Sequence, residues 1–258
     1  MKPALRIENL SKSFGGLKAA HDFGLELGPK DIQGIIGPNG AGKTTVFNLI
    51  TGVYRPDSGR ILLSERDVTR FSADRIARQG ISRTFQNIRL FNRMTVWDNI
   101  RMAFHHRTEY GFWDALLGLP RFRNREKQIS FDSMAFLERF GLLDRREELA
   151  DSLPYGEQRR LEIARALATR PRVLLLDEPA AGMNPTEVEE LIELIRGIHL
   201  DFELSILLIE HQMPVVMKLC SHIQVMDFGR IIAQGEPRDV TEDPLVIKAY
   251  LGDEEDDE

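Results

Sequence analysis

The amino-acid sequence predicts an α/β fold with a largely parallel core sheet, an N-terminal antiparallel β subdomain and an inserted α-helical subdomain. Three observations support this prediction. Short apolar segments of strand length alternate with helical segments through most of the chain, which is typical of a parallel sheet covered on both faces. A buried strand at 32–37 runs into a glycine-rich turn and then a helix. Between Thr95 and Leu149 strand signals are absent and apolar residues follow helical spacing.

The individual elements follow from the spacing of apolar residues and the position of turn residues. Alternation predicts antiparallel strands at 5–10 and 24–27. Further strands are predicted at 60–63, 82–86, 173–176, 205–209 and 223–226, and a hairpin turn at 227–230. Helices are predicted at 43–51, 97–104, 112–117, 124–140 and 244–251. We expect one domain over residues 1–252, its helical subdomain at about 93–165, and an acidic disordered tail at 253–258.

Charge and hydropathy exclude several classes of protein. The net charge of −6 equals the charge of the six acidic residues at 253–258, so the rest of the chain is neutral. A protein that binds nucleic acid usually carries a basic excess, so we expect no such partner. No apolar run reaches the roughly 18 residues of a membrane span, and the N-terminus lacks the features of a signal peptide. A single cysteine, Cys220, suits the reducing cytoplasm and a buried apolar position.

A glycine-rich segment at 37–44 matches the pattern G-x-x-x-x-G-K-[ST] between a predicted strand and a predicted helix. Glycine lets the backbone fold around phosphate oxygens with its amides pointing inward, and the helix start adds positive potential. Lys43 is expected to neutralise the β- and γ-phosphates, and Thr44 to bind Mg²⁺. No guanine-binding Asn-Lys-x-Asp sequence occurs, which favours ATP over GTP. The predicted nucleotide-binding residues of this segment and the helix start are Gly37, Pro38, Asn39, Gly40, Ala41, Gly42, Lys43, Thr44 and Thr45.

Two adjacent acidic residues, Asp177 and Glu178, end the apolar strand at 173–176. This places them at the carboxyl edge of a parallel sheet, where ligands of such sheets bind. Asp177 is expected to contribute to the Mg²⁺ site, and Glu178 to polarise the attacking water. An acidic turn after a buried strand is the alternative, and the upstream phosphate-binding segment makes the catalytic interpretation the stronger one.

With these two motifs, further segments resemble the ATP-binding-cassette (ABC) ATPase superfamily in that family's order. Residues 152–160, followed by a helix at 161–167, resemble the signature segment, and Arg83-Thr-Phe-Gln86 resembles the Q-loop. The resemblance implies that Gln86 senses Mg²⁺ and the γ-phosphate, and that His211 is the switch histidine. Phe14 resembles the aromatic that stacks on adenine, although a strand phenylalanine is often a core residue. The signature residues expected to contact nucleotide are Leu153, Pro154, Tyr155, Gly156 and Glu157.

The chain departs from the family pattern at three positions. Pro154 stands where Ser is usual, so a side-chain donor is lost, and Tyr155 stands where the first Gly is common. Asn184 stands where the D-loop of the family usually has Asp. Asn184-Pro-Thr-Glu187 also matches a helix start with a capping box, and both interpretations of Asn184 can hold together.

Several segments resemble more specifically the ATP-binding subunits of branched-chain amino-acid importers: residues 81–91, 94–96, 155–165, 181–185, 208–213 and 246–252. This resemblance implies a peripheral subunit at the cytoplasmic face of the inner membrane. Its implied partners are a second ABC ATPase subunit, identical or paralogous, two transmembrane permease subunits and, indirectly, a solute-binding protein. The alternatives are an ABC ATPase that drives another transport substrate and a soluble ABC ATPase without a transport role.

Overall fold

The computed structural model describes residues 2–105 and 112–251. The chain divides into two compact units. Unit 1 comprises Met1–Gln86 and Arg172–Glu258, and unit 2 comprises Asn87–Pro171. The expected limits of the helical subdomain, about 93–165, lie inside unit 2, and these limits stay a prediction. The predicted disordered tail at 253–258 lies outside the described residues.

Strands and helices alternate through much of unit 1, whereas the named elements of unit 2 are helical. The first part of unit 1 contains β1 (Leu5–Phe14), β2 (Leu17–Leu27), β3 (Ile32–Ile36), α1 (Lys43–Ile50), β4 (Ser58–Leu63), β5 (Arg66–Asp67), α2 (Ala73–Gln79) and β6 (Ile81–Arg83). Unit 2 contains α3 (Val96–Phe104), α4 (Phe112–Leu116), α5 (Pro120–Arg139), two 3₁₀ turns (Leu143–Arg145 and Ala150–Ser152) and α6 (Tyr155–Ala168). The second part of unit 1 contains β7 (Val173–Asp177), α7 (Pro185–Phe202), β8 (Ser205–Ile209), α8 (Met213–Leu219), β9 (His222–Asp227), β10 (Arg230–Gly235), α9 (Pro237–Thr241) and α10 (Pro244–Leu251).

Unit 1 is built on two sheets. The antiparallel sheet has the strand order β2-β1-β4-β5, and the second sheet has the order β10-β9-β3-β8-β7-β6. In the second sheet β9, β3, β8, β7 and β6 pair in parallel, and only β10 is antiparallel to its neighbour. Because parallel strands end at one edge, the carboxyl ends of β3, β7 and β8 come together, and the predicted site residues follow these ends.

The sheets are held together by an apolar core. Every residue of β7 and β8 is buried, as expected for strands covered on both faces. Phe23 from β2 and Phe47 from α1 are fully buried in one cluster with residues of both sheets. Cys220 is buried as predicted, and burial raises the pKa of its thiol to about 12, with a smaller contribution from the Glu210 carboxylate.

Unit 2 packs around helices α3, α5 and α6. Ile100, Leu137 and Leu161, one from each helix, are fully buried. The indole of Trp97 on α3 donates a hydrogen bond of 2.7 Å to the Ser133 hydroxyl on α5. These contacts give unit 2 an apolar core of its own.

Several predicted elements have different limits in the structure; the strands predicted at 5–10 and 24–27, for example, are longer and span Leu5–Phe14 and Leu17–Leu27. The strand predicted at 82–86 spans Ile81–Arg83; at the next residue the Thr84 amide still donates to the Leu175 carbonyl at 3.0 Å, and the Thr84 hydroxyl accepts a hydrogen bond from the Asp177 amide at 3.3 Å. The helix predicted at 124–140 begins at Pro120, because proline in the first turn has the φ of a helix and needs no amide partner there. The helix predicted at 244–251 has the predicted limits.

Candidate nucleotide-binding and catalytic site

The glycine-rich loop leaves β3 and enters α1 in a conformation that glycine alone allows at two of its positions. Gly37 and Gly42 have φ values of +143° and +103°. A Cβ atom would lie 2.0 Å from the Met226 carbonyl oxygen at Gly37 and 2.1 Å from the Ala19 carbonyl oxygen at Gly42. The Gly229 amide in the predicted hairpin turn donates to the Ala41 carbonyl at 2.9 Å. The loop is therefore fixed by β9 and by the turn that follows it.

The side chain of Lys43 is buried inside this loop. Its Nζ donates to the carbonyl oxygens of Gly37 at 2.6 Å and Pro38 at 2.8 Å. Burial lowers the pKa of Lys43, while the carboxylates of Glu178 and Asp177 oppose that fall. The ammonium group thus lies within reach of the electrostatic field of Asp177 and Glu178.

Asp177, at the end of β7, is fixed by the strand that leads into the Q-loop. Arg83 donates to its Oδ2 at 2.7 Å, and both side chains are almost completely buried. The same guanidinium donates to the Asn48 side chain on α1 at 2.7 Å. Arg83 therefore connects the helix of the phosphate-binding loop to the acidic strand.

Glu178 contacts both of the more distant residues predicted to act with it. The Gln86 side-chain amide donates to Glu178 Oε2 at 2.8 Å, and His211 Nδ1 lies 3.8 Å from the same oxygen. Glu178 has a φ of +44°, a conformation that is uncommon for a residue with a side chain. The fold of unit 1 thus brings together Lys43, Asp177, Glu178, Gln86 and His211.

The residues at this edge fit a magnesium ion bound together with a nucleotide. Among residues 2–105 and 112–251, no cluster of three or more His, Cys, Asp or Glu side chains could hold a metal ion. Mg²⁺ is commonly held by one or two protein ligands, with substrate phosphates and water completing its octahedron. Thr44 is exposed in the first turn of α1, and the carboxylate of Asp177 lies at the end of β7. This donor set matches that kind of site.

Phe14 lies at the end of β1 and is neither a core residue nor one of the catalytic group. Phe14 is 42% exposed, so a planar ligand can reach it. The ring of Tyr54 packs edge-on against it with a centroid distance of 5.2 Å, and Lys12 Nζ lies 5.5 Å from its centroid. An exposed, supported aromatic ring is suited to stacking on a base.

Helix α10 reaches the phosphate-binding loop. Burial raises the pKa of Tyr250, while a hydrogen bond with the Gly37 backbone opposes that rise. A cavity of about 450 Å³ lies between the loop and this helix, lined by Asn39, Phe228, Leu245 and Lys248 among others. The loop thus contacts the last described helix of the chain.

In unit 2 the predicted signature segment lies at the start of α6. Leu153 is buried, whereas Pro154 and Tyr155 are exposed and begin the helix. Pro154 is the N-cap residue, and its side chain accepts no hydrogen bond. Arg159, fully buried one turn later, pairs with Glu162 at 2.7 Å and donates to the Tyr155 hydroxyl at 3.2 Å. Tyr155 is thus part of a side-chain network within unit 2. A glycine at position 155 could not make this contact, because it has no side chain.

The remaining predicted signature residues, Gly156 and Glu157, lie in the first turn of α6. Arg145 approaches Glu157 at 3.5 Å within unit 2. The prediction that these residues contact a nucleotide stays a prediction, because no contact inside unit 2 bears on it.

Several residues that hold the site together have no role predicted from the sequence. Arg83 and Glu210 are buried charged residues, and Gln212 and Tyr250 contact loop backbone. For Glu210 the sequence does contain a signal, because a charged residue directly after an apolar strand indicates a position at the edge of the sheet near the site. Arg83 binds Asp177, and Glu210 and Gln212 bind Ala180. These partners are far away in the chain, so spacing could not reveal them.

The comparisons with known proteins agree with this geometry. A family described as "ABC transporter" matches residues 20–181, and one described as "Branched-chain amino acid ATP-binding cassette transporter" matches residues 230–256. The chain is 46% identical to the high-affinity branched-chain amino acid transport ATP-binding protein LivG of Escherichia coli, covering 98% of this chain and 99% of LivG. This chain belongs to the ABC transporter family.

A second relative and a solved structure extend the comparison. The high-affinity branched-chain amino acid transport ATP-binding protein BraF of Pseudomonas aeruginosa is 43% identical, over 98% of this chain and 99% of BraF. The ADP conformation of MJ1267, an ATP-binding cassette of an ABC transporter, superposes with a TM-score of 0.85 at 31% identity, covering 98% of this chain and 100% of that one. The predicted fold, that of an ABC ATPase with a mostly parallel core sheet, is confirmed.

The predictions of family and enzyme class are confirmed as well. The chain is an ABC transporter ATPase, and ATP is its nucleotide. In the described part of this ABC ATPase, the helices are too short or too polar to cross a bilayer.

Proposed function

We propose that the chain is the ATP-hydrolysing subunit of an importer that takes up branched-chain or related amino acids. The observation that carries this proposal is the similarity to LivG over nearly the whole of both chains. The separate match at 230–256 to a family named for branched-chain amino acids supports the same substrate class.

In this proposal ATP binds at the phosphate-binding loop. The Lys43 ammonium exchanges the carbonyl oxygens of Gly37 and Pro38 for the β- and γ-phosphate oxygens, which carry more negative charge. The amides of the loop and the start of α1 bind the remaining phosphate oxygens. The exposed ring of Phe14 stacks on the adenine.

Thr44 and Asp177, with Gln86 nearby, would hold Mg²⁺ beside the phosphates. The ion supplies charge neutralisation at the γ-phosphate when it is bound. Arg83 engages one oxygen of Asp177, so the carboxylate has a fixed orientation before the nucleotide arrives.

Hydrolysis is assigned to Glu178, with Gln86 and His211 beside it. The Glu178 carboxylate orients the attacking water and accepts its proton, the usual role of a carboxylate next to a γ-phosphate. Gln86 contacts the same oxygen of Glu178 that faces His211, which supports a concerted response of these three residues to the γ-phosphate.

The signature segment, Leu153 to Glu157, is proposed to act on the nucleotide of a second subunit. Its N-cap residue provides no side-chain cap, which supports a role for the helix start in binding an external anion. The complete transporter would contain this chain, an identical or paralogous ABC ATPase and two permease subunits. A solute-binding protein would deliver the solute to the permease subunits. The chain would then lie at the cytoplasmic face of the membrane.

The test is to purify the chain with its partners from native membranes and to reconstitute the complex in proteoliposomes. With the solute-binding protein outside and ATP inside, we expect uptake of labelled leucine. Glu178→Gln should abolish this uptake, and Glu193→Gln, the same change at an exposed position of α7, should retain it. Recovery with ribosomes or nucleic acid, or uptake that persists in Glu178→Gln, would contradict the proposal.

A further inference from the structure

Glu210 is a fully buried carboxylate to which the proposed mechanism assigns no role. Its Oε1 accepts a hydrogen bond from the Ala180 amide at 2.9 Å. Its Oε2 accepts from the amides of His211 at 2.8 Å and Gln212 at 3.0 Å. Within the described structure its one ion-pair contact is with the His211 imidazole, at 3.7 Å. Backbone amides therefore provide the interactions that offset the cost of burying this charge.

The residues around Glu210 bind the backbone after β7 at three points. We call residues 209–212 the switch turn. The Glu178 amide donates to the Ile209 carbonyl of the switch turn at 2.9 Å. Ala180 is held at both of its polar groups, because its amide donates to Glu210 and its carbonyl accepts from the Gln212 side chain at 2.8 Å. The segment that carries Glu178 is therefore fastened at Glu178 itself and two residues after it.

The conformation of Glu178 explains why such fastening matters. A residue with a side chain at a φ of +44° is strained, and it keeps this conformation only where the surrounding structure enforces it. Here the Glu178 amide donates to Ile209, the Glu178 carbonyl accepts from the Ala181 amide at 3.2 Å, and Glu210 and Gln212 bind Ala180 two residues later. The same Glu210 carboxylate also binds the amide of His211, whose ring faces Glu178.

We propose that Glu210 is a positioning residue for ATP hydrolysis, which sets Glu178 and His211 in their relative arrangement by binding the backbone beside each of them. The inference rests on the proposed catalytic role of Glu178. Glu210 touches no reacting atom in this arrangement. Glu210 instead acts by holding the backbone of Ala180, next to the segment that carries Glu178, and the backbone of His211.

A purely structural role for Glu210 predicts a different result. If the carboxylate only stabilised the fold, its replacement would lower the melting temperature and would affect turnover no more than any equally destabilising change. If it positions Glu178, the replacement lowers kcat while the phosphate-binding loop retains its affinity for ATP. Comparing the loss of kcat with the loss of melting temperature therefore distinguishes a positioning role from a purely structural one.

The experiment compares Glu210→Gln with the wild-type chain in kcat, KM, ATP affinity and melting temperature. Glutamine preserves the shape, but its NH₂ group replaces one acceptor and faces an amide donor. We expect kcat to fall about 10- to 100-fold, because misplacing a reacting group by about 1 Å costs that much, with ATP affinity unchanged. Backbone hydrogen exchange at Ala180, His211 and Gln212 should accelerate, which reports the lost hydrogen bonds independently of activity.

Ser205→Ala provides the matched control at the opposite end of the same strand. The buried Ser205 hydroxyl accepts from the Lys30 amide and donates to the Gly28 carbonyl, so its loss destabilises unit 1 away from the site. We expect a lower melting temperature with kcat unchanged. Should Glu210→Gln fail to fold, Gln212→Ala removes the bond to the Ala180 carbonyl alone, and we expect kcat to fall by about threefold.

The outcomes distinguish this inference from the proposed mechanism. A wild-type kcat in Glu210→Gln and Gln212→Ala, with Glu178→Gln inactive, would overturn the role of Glu210 alone. An undiminished kcat in Glu178→Gln would overturn the catalytic assignment on which the inference rests. A loss of kcat in Ser205→Ala as large as in Glu210→Gln would show that turnover follows stability, and this too would overturn the positioning role.

Discussion

In unit 1 the side chains predicted to bind phosphate, to bind metal and to act in catalysis have partners within their own unit, whereas in unit 2 the predicted signature segment begins a helix whose N-cap residue provides no side-chain cap. Lys43, Asp177 and Glu178 each have at least one short contact within unit 1. Pro154 and Tyr155 are exposed, and the Pro154 side chain has no acceptor for the first amides of α6. The difference agrees with the proposal that unit 1 binds the nucleotide of its own subunit and that the signature segment acts on the nucleotide of a second subunit.

The largest expected effect belongs to Glu178 in unit 1. Glu178→Gln should lower kcat about a thousandfold, since general-base catalysis contributes roughly 10²- to 10⁴-fold. ATP affinity should be retained because Lys43 and the loop are intact. Phosphate release and equilibrium binding of a fluorescent ATP analogue measure the two quantities. Turnover at the wild-type rate would contradict the assignment.

Removing Arg83 should test how strongly unit 1 is ordered by its own contacts. Arg83→Met leaves the Asp177 carboxylate buried without its partner, and breaking a buried pair costs about 3 to 5 kcal/mol of the free energy of unfolding. Urea denaturation of the nucleotide-free chain measures this loss. Arg196→Met, which breaks an exposed pair with Glu193, should cost less than about 1 kcal/mol. Equal losses of unfolding free energy in the two variants would show that the buried pair of Arg83 and Asp177 stabilises unit 1 no more than an exposed pair does.

Lys43→Ala should lower the affinity for ATP itself, whereas Glu178→Gln should lower kcat. Loss of a charged group that binds phosphate is expected to lower ATP affinity roughly 10- to 100-fold. Lys218→Ala, at an exposed ion pair with Glu189, serves as the control and should bind ATP normally. Normal ATP affinity of Lys43→Ala in the same binding titration would remove the lysine from the proposed site.

The smallest effect should come from unit 2. Pro154→Ser places a capping hydroxyl at the N-cap of α6, whose backbone already has the extended conformation of an N-cap, and should stabilise the chain by about 0.5 to 1 kcal/mol. ATP binding to the isolated chain should not change. Asn184→Ala is the converse control, because Asn184 already accepts from the Glu187 amide, and it should cost about 1 kcal/mol. A change in ATP affinity of isolated Pro154→Ser would show that the two regions are not independent.

Features of the fold and the site could be predicted from the sequence where they depend on residues that are close together in the chain. The phosphate-binding loop, the acidic pair and the capping box of Asn184 and Glu187 all depend on short spacing, and the structure contains the predicted strand, turn and helix, and the capping box. The positions of Arg83 and Glu210 depend instead on pairing across the sheet. Asp177 is distant from Arg83 in sequence, so periodicity could not indicate their contact.

The limits of the strand predicted at 82–86 were wrong for the same reason. Apolar and β-branched residues favour an extended chain there. The strand instead ends at Arg83, three residues before its predicted end, and at the next residue the Thr84 hydroxyl accepts a hydrogen bond from the Asp177 amide. The contacts at this boundary are made with a strand that is distant in the sequence, so the residue pattern at 82–86 could not indicate them.

The order in which the strands pair has a consequence for the synthesis of the protein. The strand that leads into the phosphate-binding loop pairs on its two sides with β8 and β9, Ile32 with Ile206 and Gln33 with His222. A growing chain on the ribosome therefore carries the whole loop long before either neighbour exists, and the continuous segment of unit 2 is made in between. A chain that terminates before β9 contains the full loop sequence but lacks the Met226 backbone on which Gly37 packs. Truncated products consequently lack the backbone against which the loop packs, and the loop acquires this support only when β9 has been synthesised.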